Sequence, residues 1–172
     1  MGALDLFFGF SGRINRAKFW LTLVVWLLIW IVAIAAFVVG GLAILGSNLS
    51  NGSLPSPEDP AAFLRLIRDY GILSLVIFAF IIVSWASAFA IGVKRLHDRD
   101  RSGWWIVLFY FGPTVLAVAQ SSTEGALASL VLGLGALAIS VWWLVELGFL
   151  RGTSGSNRFG ADPLMREAAL QA

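Results

Sequence analysis

The feature that most constrains this chain is a long stretch without charge near its N-terminal end. No Asp, Glu, Lys or Arg lies between Phe19 and Pro57, and residues 17–45 are almost entirely apolar. A helix over residues 17–45 would be about 43 Å long at roughly 1.5 Å per residue, which exceeds the roughly 30 Å hydrocarbon core of a bilayer. We therefore predict a first membrane-spanning helix there.

The composition of the whole chain agrees with a membrane protein. Of its 172 residues, 59% are hydrophobic and 13% are charged, whereas soluble domains have roughly 45–50% and about 25%. A soluble domain is excluded because its polar residues could not cover so much apolar surface. A disordered chain is excluded because such chains are poor in hydrophobic residues. Since the chain has no cysteine, disulfides, thiolate nucleophiles and cysteine-based metal sites are excluded as well.

Three further apolar stretches predict three more spans. The four spans cover about residues 17–45, 71–93, 104–123 and 125–150. The third is short and contains Gly112-Pro113, so we expect a kink. The predicted fold class is all-α, an integral membrane bundle of four transmembrane helices that forms one domain over residues 1–163, followed by a short tail over residues 164–172. Residues 56–70 are either a short amphipathic helix on the outer membrane surface or the first turns of the second span.

The positions of the basic residues predict the orientation, because loops rich in Lys and Arg stay in the cytoplasm. Ten of the twelve lie in the N-terminal segment, the loop after the second span and the tail: Arg13, Arg16, Lys18, Lys94, Arg95, Arg99, Arg101, Arg151, Arg158 and Arg166. The connection between the first two spans holds the other two, Arg65 and Arg68. Both termini are therefore expected in the cytoplasm. Because topology accounts for the basic residues, we expect no nucleic-acid partner.

The densest polar stretch is residues 94–105, KRLHDRDRSGWW. One interpretation is a headgroup site, because arginine binds phosphate oxygens through two N–H groups and a basic pocket at the cytoplasmic face suits anionic lipid. The other is a tight turn whose arginines determine topology. In that case Asp98 and Asp100 pair with Arg13, Arg16 or neighbouring residues.

Two catalytic interpretations of this loop have weaker support. Asp98 and Asp100 form an Asp-x-Asp pattern, which can hold Mg²⁺ against a substrate diphosphate because hard cations prefer carboxylate oxygens. His97 is the only histidine, and it could activate Ser102 only if a third group oriented its ring. The adjacent Asp98 is poorly placed for that role. We therefore expect no catalytic residue, no bound metal and no cofactor.

Apart from Lys18 at the start of the first span, Glu146 is the one charged residue inside a predicted span, and such residues are costly enough to suggest a function. It lies five residues before Arg151, near the cytoplasmic boundary. We expect it to pair with Arg151 or with a residue of the basic loop. The spans carry no other charge and little Thr, Asn or Gln, which argues against a polar path of the kind that transporters have.

The tail from Gly152 to Pro163 is rich in turn-forming residues. It matches neither the P-loop nor the dinucleotide fingerprint, because it lacks Gly-Lys-Ser/Thr and a preceding strand. We expect a turn-rich cap that folds against the basic loop.

Three motifs in order resemble a known family. They are Gly12-Arg13-x-x-Arg16-x-x-Phe19-Trp20, Arg95-Leu96-His97-Asp98-x-x-x-Ser102-Gly103-Trp104-Trp105 and Gly152-x-x-Gly155-x-Asn157-x-Phe159-Gly160-x-Asp162-Pro163. From about Leu6 to Pro163, the chain is similar to the bacterial domain-of-unknown-function family numbered 805, also called YhaH-like. The resemblance implies a multi-span protein of the bacterial cytoplasmic (inner) membrane with no established biochemical activity.

By the charge count, all three motifs lie on the cytoplasmic face, so we predict that their polar residues meet under the bundle. The predicted cluster comprises Arg13, Arg16, Arg95, Asp98, Arg99, Arg101, Asn157 and Asp162. The hypothesis is a non-catalytic protein whose cluster binds an anionic lipid headgroup or a partner protein. The expected partners of the chain are the lipid bilayer with its anionic phospholipid, and a membrane protein or further copies of the chain. One alternative is a membrane enzyme that acts on a lipid-linked phosphate through Asp98 and Asp100. A second is a small transporter or channel.

Overall fold

The computed structural model describes residues 2–52 and 60–165, and regular structure within them is helical. The helices are α1 (Ala3–Phe8), α2 (Arg16–Ser50), α3 (Pro60–Asp98), α4 (Trp105–Ser121) and α5 (Ala126–Leu144), which continues into a π-helical turn, Val145–Phe149. The described tail contains one isolated β-bridge, between Asn157 and Gly160. The predicted all-α class is confirmed.

Three of these helices are long and apolar enough to cross a membrane: Arg16–Ser50, Phe63–Asp98 and Ala126–Phe149. Helix α4 has 17 residues and contains Pro113, so at about 1.5 Å per residue it extends only about 26 Å. The prediction of a short segment is confirmed, and the kink expected at Gly112-Pro113 stays a prediction.

The start of α3 decides between the two interpretations of the segment before the second span. Residues 60–70 are the first turns of α3, and no separate surface helix occurs among them. Residues 56–59 of the predicted segment lie outside the described residues. Helix α2 also runs to Ser50, five residues beyond the predicted end at residue 45.

Within the described residues the chain forms two compact units, residues 2–23 with 87–165 and residues 24–86. In the second unit, α2 and α3 pack through aromatic rings, with the centroids of Trp30 and Phe80 4.8 Å apart. The Tyr70 hydroxyl donates to the Gly41 carbonyl oxygen at 3.4 Å. Large apolar side chains such as Leu28 and Ile31 are exposed, as expected of helices surrounded by lipid.

In the first unit, α4 and α5 form a helical hairpin that packs through small residues. A Cβ atom at Gly112 would lie 3.2 Å from Ile139, and one at Gly135 would lie 3.2 Å from Leu116. A group of buried side chains in this unit lies where the N-terminal segment, the end of α3 and the tail meet: Ile14, Phe19, Lys94, Arg95, Leu96, Asp98, Glu146 and Leu147. The polar residues of the three motifs lie at this end.

Candidate functional site

The centre of the site is a buried ion cluster of Arg13, Arg95 and Asp98. Nε and Nη2 of Arg13 donate to Oδ1 of Asp98 at 3.2 and 3.1 Å. Nη1 of Arg95 donates to Oδ2 of the same carboxylate. The three side chains are 0–4% exposed. Both oxygens of Asp98 are therefore engaged by guanidinium groups, in bonds stronger than those between neutral partners.

Backbone carbonyl groups accept further hydrogen bonds from the two arginines. Arg13 also donates to the carbonyl oxygens of Thr153 at 2.6 Å, Gly155 at 2.7 Å and Gly160 at 3.2 Å. Arg95 donates to the carbonyl oxygens of Leu147, at 2.7 Å, and Leu150. A buried cation without such partners would be strongly destabilising. The two arginines thus tie the N-terminal segment, α3, the π-helical turn and the tail together.

The tail loop, residues 151–162, folds against the C-terminal end of α3. The Thr153 amide and hydroxyl groups donate to the Asp98 carbonyl oxygen at 2.8 and 3.1 Å. Nδ2 of Asn157 donates to the His97 carbonyl oxygen at 2.9 Å. Gly152 permits this close approach, because a Cβ atom there would lie 2.0 Å from Oδ2 of Asp98. The prediction of a turn-rich cap against the basic loop is confirmed.

Asp162 shapes the tail loop by accepting backbone hydrogen bonds. Its carboxylate accepts from the amides of Leu164 and Gly155, each at 2.9 Å. These bonds favour the charged form and lower the pKa of Asp162. The ring of Phe159 adds an apolar contact, since it stacks on His97 with centroids 3.9 Å apart.

A second ion group surrounds Glu146 in the π-helical turn. Oε1 of this buried carboxylate lies 2.6 Å from Nε of Arg99 and 2.9 Å from Nε of Arg101. The prediction that Glu146 pairs with a basic-loop residue is confirmed. Arg151 was the alternative partner, but among the described residues its guanidinium forms no ion pair with Glu146. Instead, the Arg151 carbonyl oxygen accepts a bond from Arg99 at 2.7 Å.

Next to the ion cluster is a cavity of about 500 Å³, here called the tail cavity. Arg16 and Arg151 are exposed at its lining, and within the described ranges neither side chain contacts a carboxylate. The first turn of α2 also lines it, capped by Asn15, whose Oδ1 accepts from the Lys18 amide at 2.8 Å. The cavity is lined by Asn15, Arg16, Ala17, Asp98, Arg151, Gly152, Thr153, Ser154, Asp162, Pro163 and Leu164.

The charges around the tail cavity favour an anion. Two aspartates, Asp98 and Asp162, line it together with Arg16 and Arg151. Arg13 and Arg95 form ion pairs with Asp98, so four positive charges in this region accompany two negative ones. The first-turn N–H groups of a helix add partial positive charge at the same place.

The structure separates the eight predicted site residues by their partners. The buried ion cluster holds Arg13, Arg95 and Asp98; the Glu146 group holds Arg99 and Arg101; the tail loop holds Asn157 and Asp162; and Arg16 lines the tail cavity. Thr153 and the guanidinium of Arg151 were not predicted members. The sequence signal that could have identified Arg151 is its position directly before Gly152, the first residue of the third motif.

The geometry does not favour the metal-dependent alternative. Asp98 is engaged by two arginines, and Oδ1 of Asp100 pairs with Nε of Arg158 at 3.1 Å on the surface. The two carboxylates of the Asp-x-Asp pattern therefore have separate partners. In residues 2–52 and 60–165, no group of three or more His, Asp or Glu gathers to hold a metal ion.

Comparison with known proteins places the three motifs in a family. The pattern of a family described as protein of unknown function (DUF805) matches residues 7–161. The chain belongs to this family. It is similar to three proteins of Escherichia coli strain K12. Identity is 28% to the uncharacterized protein YiiR, over 90% of this chain and 86% of the relative. It is 28% to the inner membrane protein YhaH, over 93% and 91%, and 27% to the inner membrane protein YhaI, over 95% and 92%.

These relatives agree with the apolar helices in identifying a membrane protein of a family without a characterised role. No solved structure matches the chain.

Proposed function

We propose that the chain is a four-span protein of the bacterial inner membrane, with both termini in the cytoplasm, and that its tail cavity binds the phosphate of an anionic phospholipid without catalysis. The orientation is supported by the ten of twelve basic residues in the N-terminal segment, the loop after α3 and the tail. The location is supported by the inner membrane relatives YhaH and YhaI.

The observation that carries the proposal is the pair of exposed arginines, Arg16 and Arg151, at a cavity of about 500 Å³. Neither guanidinium contacts a carboxylate within the described ranges, unlike those of Arg13 and Arg95. Arginine binds phosphate oxygens through two parallel N–H groups. Two such groups beside a helix N-terminus form a favourable environment for a phosphate diester.

The position of the cavity favours a lipid over a partner protein. Arg16 is the first residue of α2, a helix able to cross the membrane. Trp20 follows one turn later, and its Nε1 donates to the Gly148 carbonyl oxygen at 3.0 Å. Tryptophan is enriched at the depth of the headgroups. Arg16 is therefore expected where lipid phosphates lie, and basic pockets at this depth bind anionic headgroups.

The test is mass spectrometry of the protein extracted together with its native lipids. We expect phosphatidylglycerol or cardiolipin to be retained over phosphatidylethanolamine, and the retention to be lost in the double variant R16Q/R151Q. The matched control is R68Q/R158Q, which removes the same charge from two arginines that pair with aspartates on the surface. Equal lipid retention in both variants would contradict the proposal. Loss of a co-purifying protein in R16Q/R151Q alone would assign the cavity to a protein partner instead.

The proposed orientation has its own test, which the absence of cysteine makes simple. Single cysteines at Ser154 and at Asn51 are labelled in intact cells with a membrane-impermeant maleimide. We expect labelling at position 51 and protection at position 154 until the cells are opened. Labelling of position 154 in intact cells would place the tail outside and contradict the proposed orientation.

A further inference from the structure

Lys94 is a fully buried lysine that belongs to neither ion group. Its Nζ donates to the carbonyl oxygens of Asp5 at 2.6 Å and Leu6 at 2.5 Å, and its exposure is 0%. Both carbonyls belong to the last four residues of α1. The Asp5 carbonyl oxygen also accepts a bond from the Gly9 amide at 3.0 Å. The ammonium group therefore stands at the negative end of α1 and adds a charged donor to its last turn.

This contact fixes α1 in place. A helix of six residues is too short to be stable in isolation, so its position depends on tertiary contacts such as those of Lys94. The segment after α1 is bound to the same residue, since the Ile14 amide donates to the Lys94 carbonyl oxygen at 3.4 Å. Helix α1 is thus held at the C-terminal end of α3, and the chain enters α2 at Arg16, eight residues after Phe8.

The outer face of α1 is apolar and exposed. Leu4 and Phe8 are four residues apart, so they lie on one side of the helix. Leu4 is 79% exposed, Phe8 is 40% exposed, and Phe10 just after the helix is 52% exposed. Asp5, which follows Leu4 in the same helix, is a polar residue and is also exposed. An exposed apolar face of this kind indicates a surface that contacts a membrane or another protein.

The chain itself indicates what that environment is. Helix α1 is only about 9 Å long at roughly 1.5 Å per residue, so it cannot cross a bilayer. It precedes α2, whose first turns expose Trp20 and Leu21 in the same way. Lys94 contacts both α1 and Ile14, two residues before α2 begins at Arg16, so α1 is held close to the level at which this membrane helix begins.

We propose that α1 is an interfacial anchor, with Leu4, Phe8 and Phe10 inserted at the headgroup–acyl boundary of the leaflet in which α2 begins. Lys94 is the positioning residue, because it ties α1 to the end of α3 at this depth. Short amphipathic segments bind membranes in this manner, with the apolar side buried shallowly in the interface and polar groups facing water. The partner of this surface is thus the bilayer itself. Unlike the tail cavity, it requires no particular headgroup.

The experiment uses the full chain reconstituted in vesicles of phosphatidylethanolamine and phosphatidylglycerol. Since the chain lacks cysteine, an environment-sensitive fluorophore is attached to L4C or F8C, with D5C as the matched control on the same helix. We expect L4C and F8C to be quenched several-fold more strongly by nitroxide-labelled lipid than by aqueous iodide, and D5C to show the reverse. Equal iodide quenching at positions 4 and 5 would overturn the proposal.

Two further variants test the role of Lys94. In K94M with L4C, we expect iodide quenching to rise towards the D5C value, because α1 is released, whereas K94R retains the cation and the protected state. Iodide quenching of L4C that stays low in K94M would overturn the positioning role. If K94M does not accumulate, K94R and the comparison of L4C with D5C still decide whether α1 is an anchor.

Disulfide-linked dimers of L4C in vesicles, with protection from iodide persisting in detergent, would show that a second copy covers this face and would overturn the proposal.

Discussion

Two pairs of arginines at the same end of the first unit differ in what their charges contact. Arg13 and Arg95 are buried, share the carboxylate of Asp98 and donate to five carbonyl groups of the π-helical turn and the tail. Arg16 and Arg151 are exposed at a cavity and contact no carboxylate in the described parts of the chain. The first pair bonds to groups inside the protein, and we propose that the second pair is available to a lipid phosphate.

A dense basic motif is therefore not by itself a binding site. Within a few residues of the same sequence motif, Arg13 holds the fold together and Arg16 faces the cavity. Burial and internal partners separate the two roles. Mutations should therefore separate them as well, and the largest effects on stability are expected in the buried ion cluster.

The largest effect is expected for D98N. Removing this charge leaves two buried guanidinium groups without a carboxylate, and breaking a buried ion pair costs about 3–5 kcal/mol. We expect the free energy of unfolding to fall by that order and the protein to accumulate poorly in membranes. The measurement is thermal unfolding of the purified protein in detergent. A D98N protein as stable as the wild type would show that the cluster does not hold the fold together.

E146Q should have an intermediate effect. Its partners Arg99 and Arg101 are 19% and 41% exposed, so they can reach water when the carboxylate is lost. The cost is therefore closer to that of a hydrogen bond to a charged group, about 1.5–3 kcal/mol. The same unfolding measurement should place E146Q between D98N and the wild type. A loss larger than that of D98N would reverse the order we assign to the two ion groups.

A smaller and local effect should follow from the pH dependence of Asp162. The pKa of Asp162 is lowered in the folded protein by two backbone hydrogen bonds, so these bonds contribute stability above the unfolded-state pKa, about 3.9. That stability is lost as the pH falls through the lower folded-state pKa. We expect hydrogen exchange of the Gly155 and Leu164 amides to accelerate in that acid range relative to other tail amides. In D162N, this acid-dependent change should be absent, and its persistence there would assign it to another group.

The smallest effect is expected for R158Q. Arg158 and Asp100 are paired on the surface, with side chains 61% and 47% exposed, and exposed ion pairs contribute about 0–1 kcal/mol. Thermal unfolding of R158Q should therefore be close to that of the wild type. A loss comparable to that of E146Q would mean that this pair anchors the tail loop in a way that its exposure does not suggest.

Much of the fold was predictable because long apolar stretches and turn-rich segments are local signals. The helical class, the short length of α4 and the contact of the tail with the basic loop followed from them. The pairing of Asp98 with Arg13 was one of two interpretations left open, and the structure decides it through burial of both side chains. For Glu146, its position near the cytoplasmic end of the last span limited the predicted partners to Arg151 and the residues of the basic loop.

The remainder depends on contacts distant in sequence. The six-residue helix α1 carries no periodic pattern long enough to be recognised, and Lys94 holds it from 88 or 89 positions away. Gly152 admits the tail next to Asp98 only because of the fold around it. The different roles of Arg13 and Arg16 also depend on tertiary contacts, since the two residues are only three positions apart in the same motif.

The most direct test of the account is thermal unfolding of R16Q/R151Q with and without added phosphatidylglycerol. The wild type should gain stability with this lipid, because a ligand that binds only the folded state raises Tm. The double variant should retain the basal Tm of the wild type and lose the lipid-dependent increase. A basal Tm as low as that of D98N, or an undiminished increase with lipid, would contradict the division of the arginines into a structural pair and a binding pair.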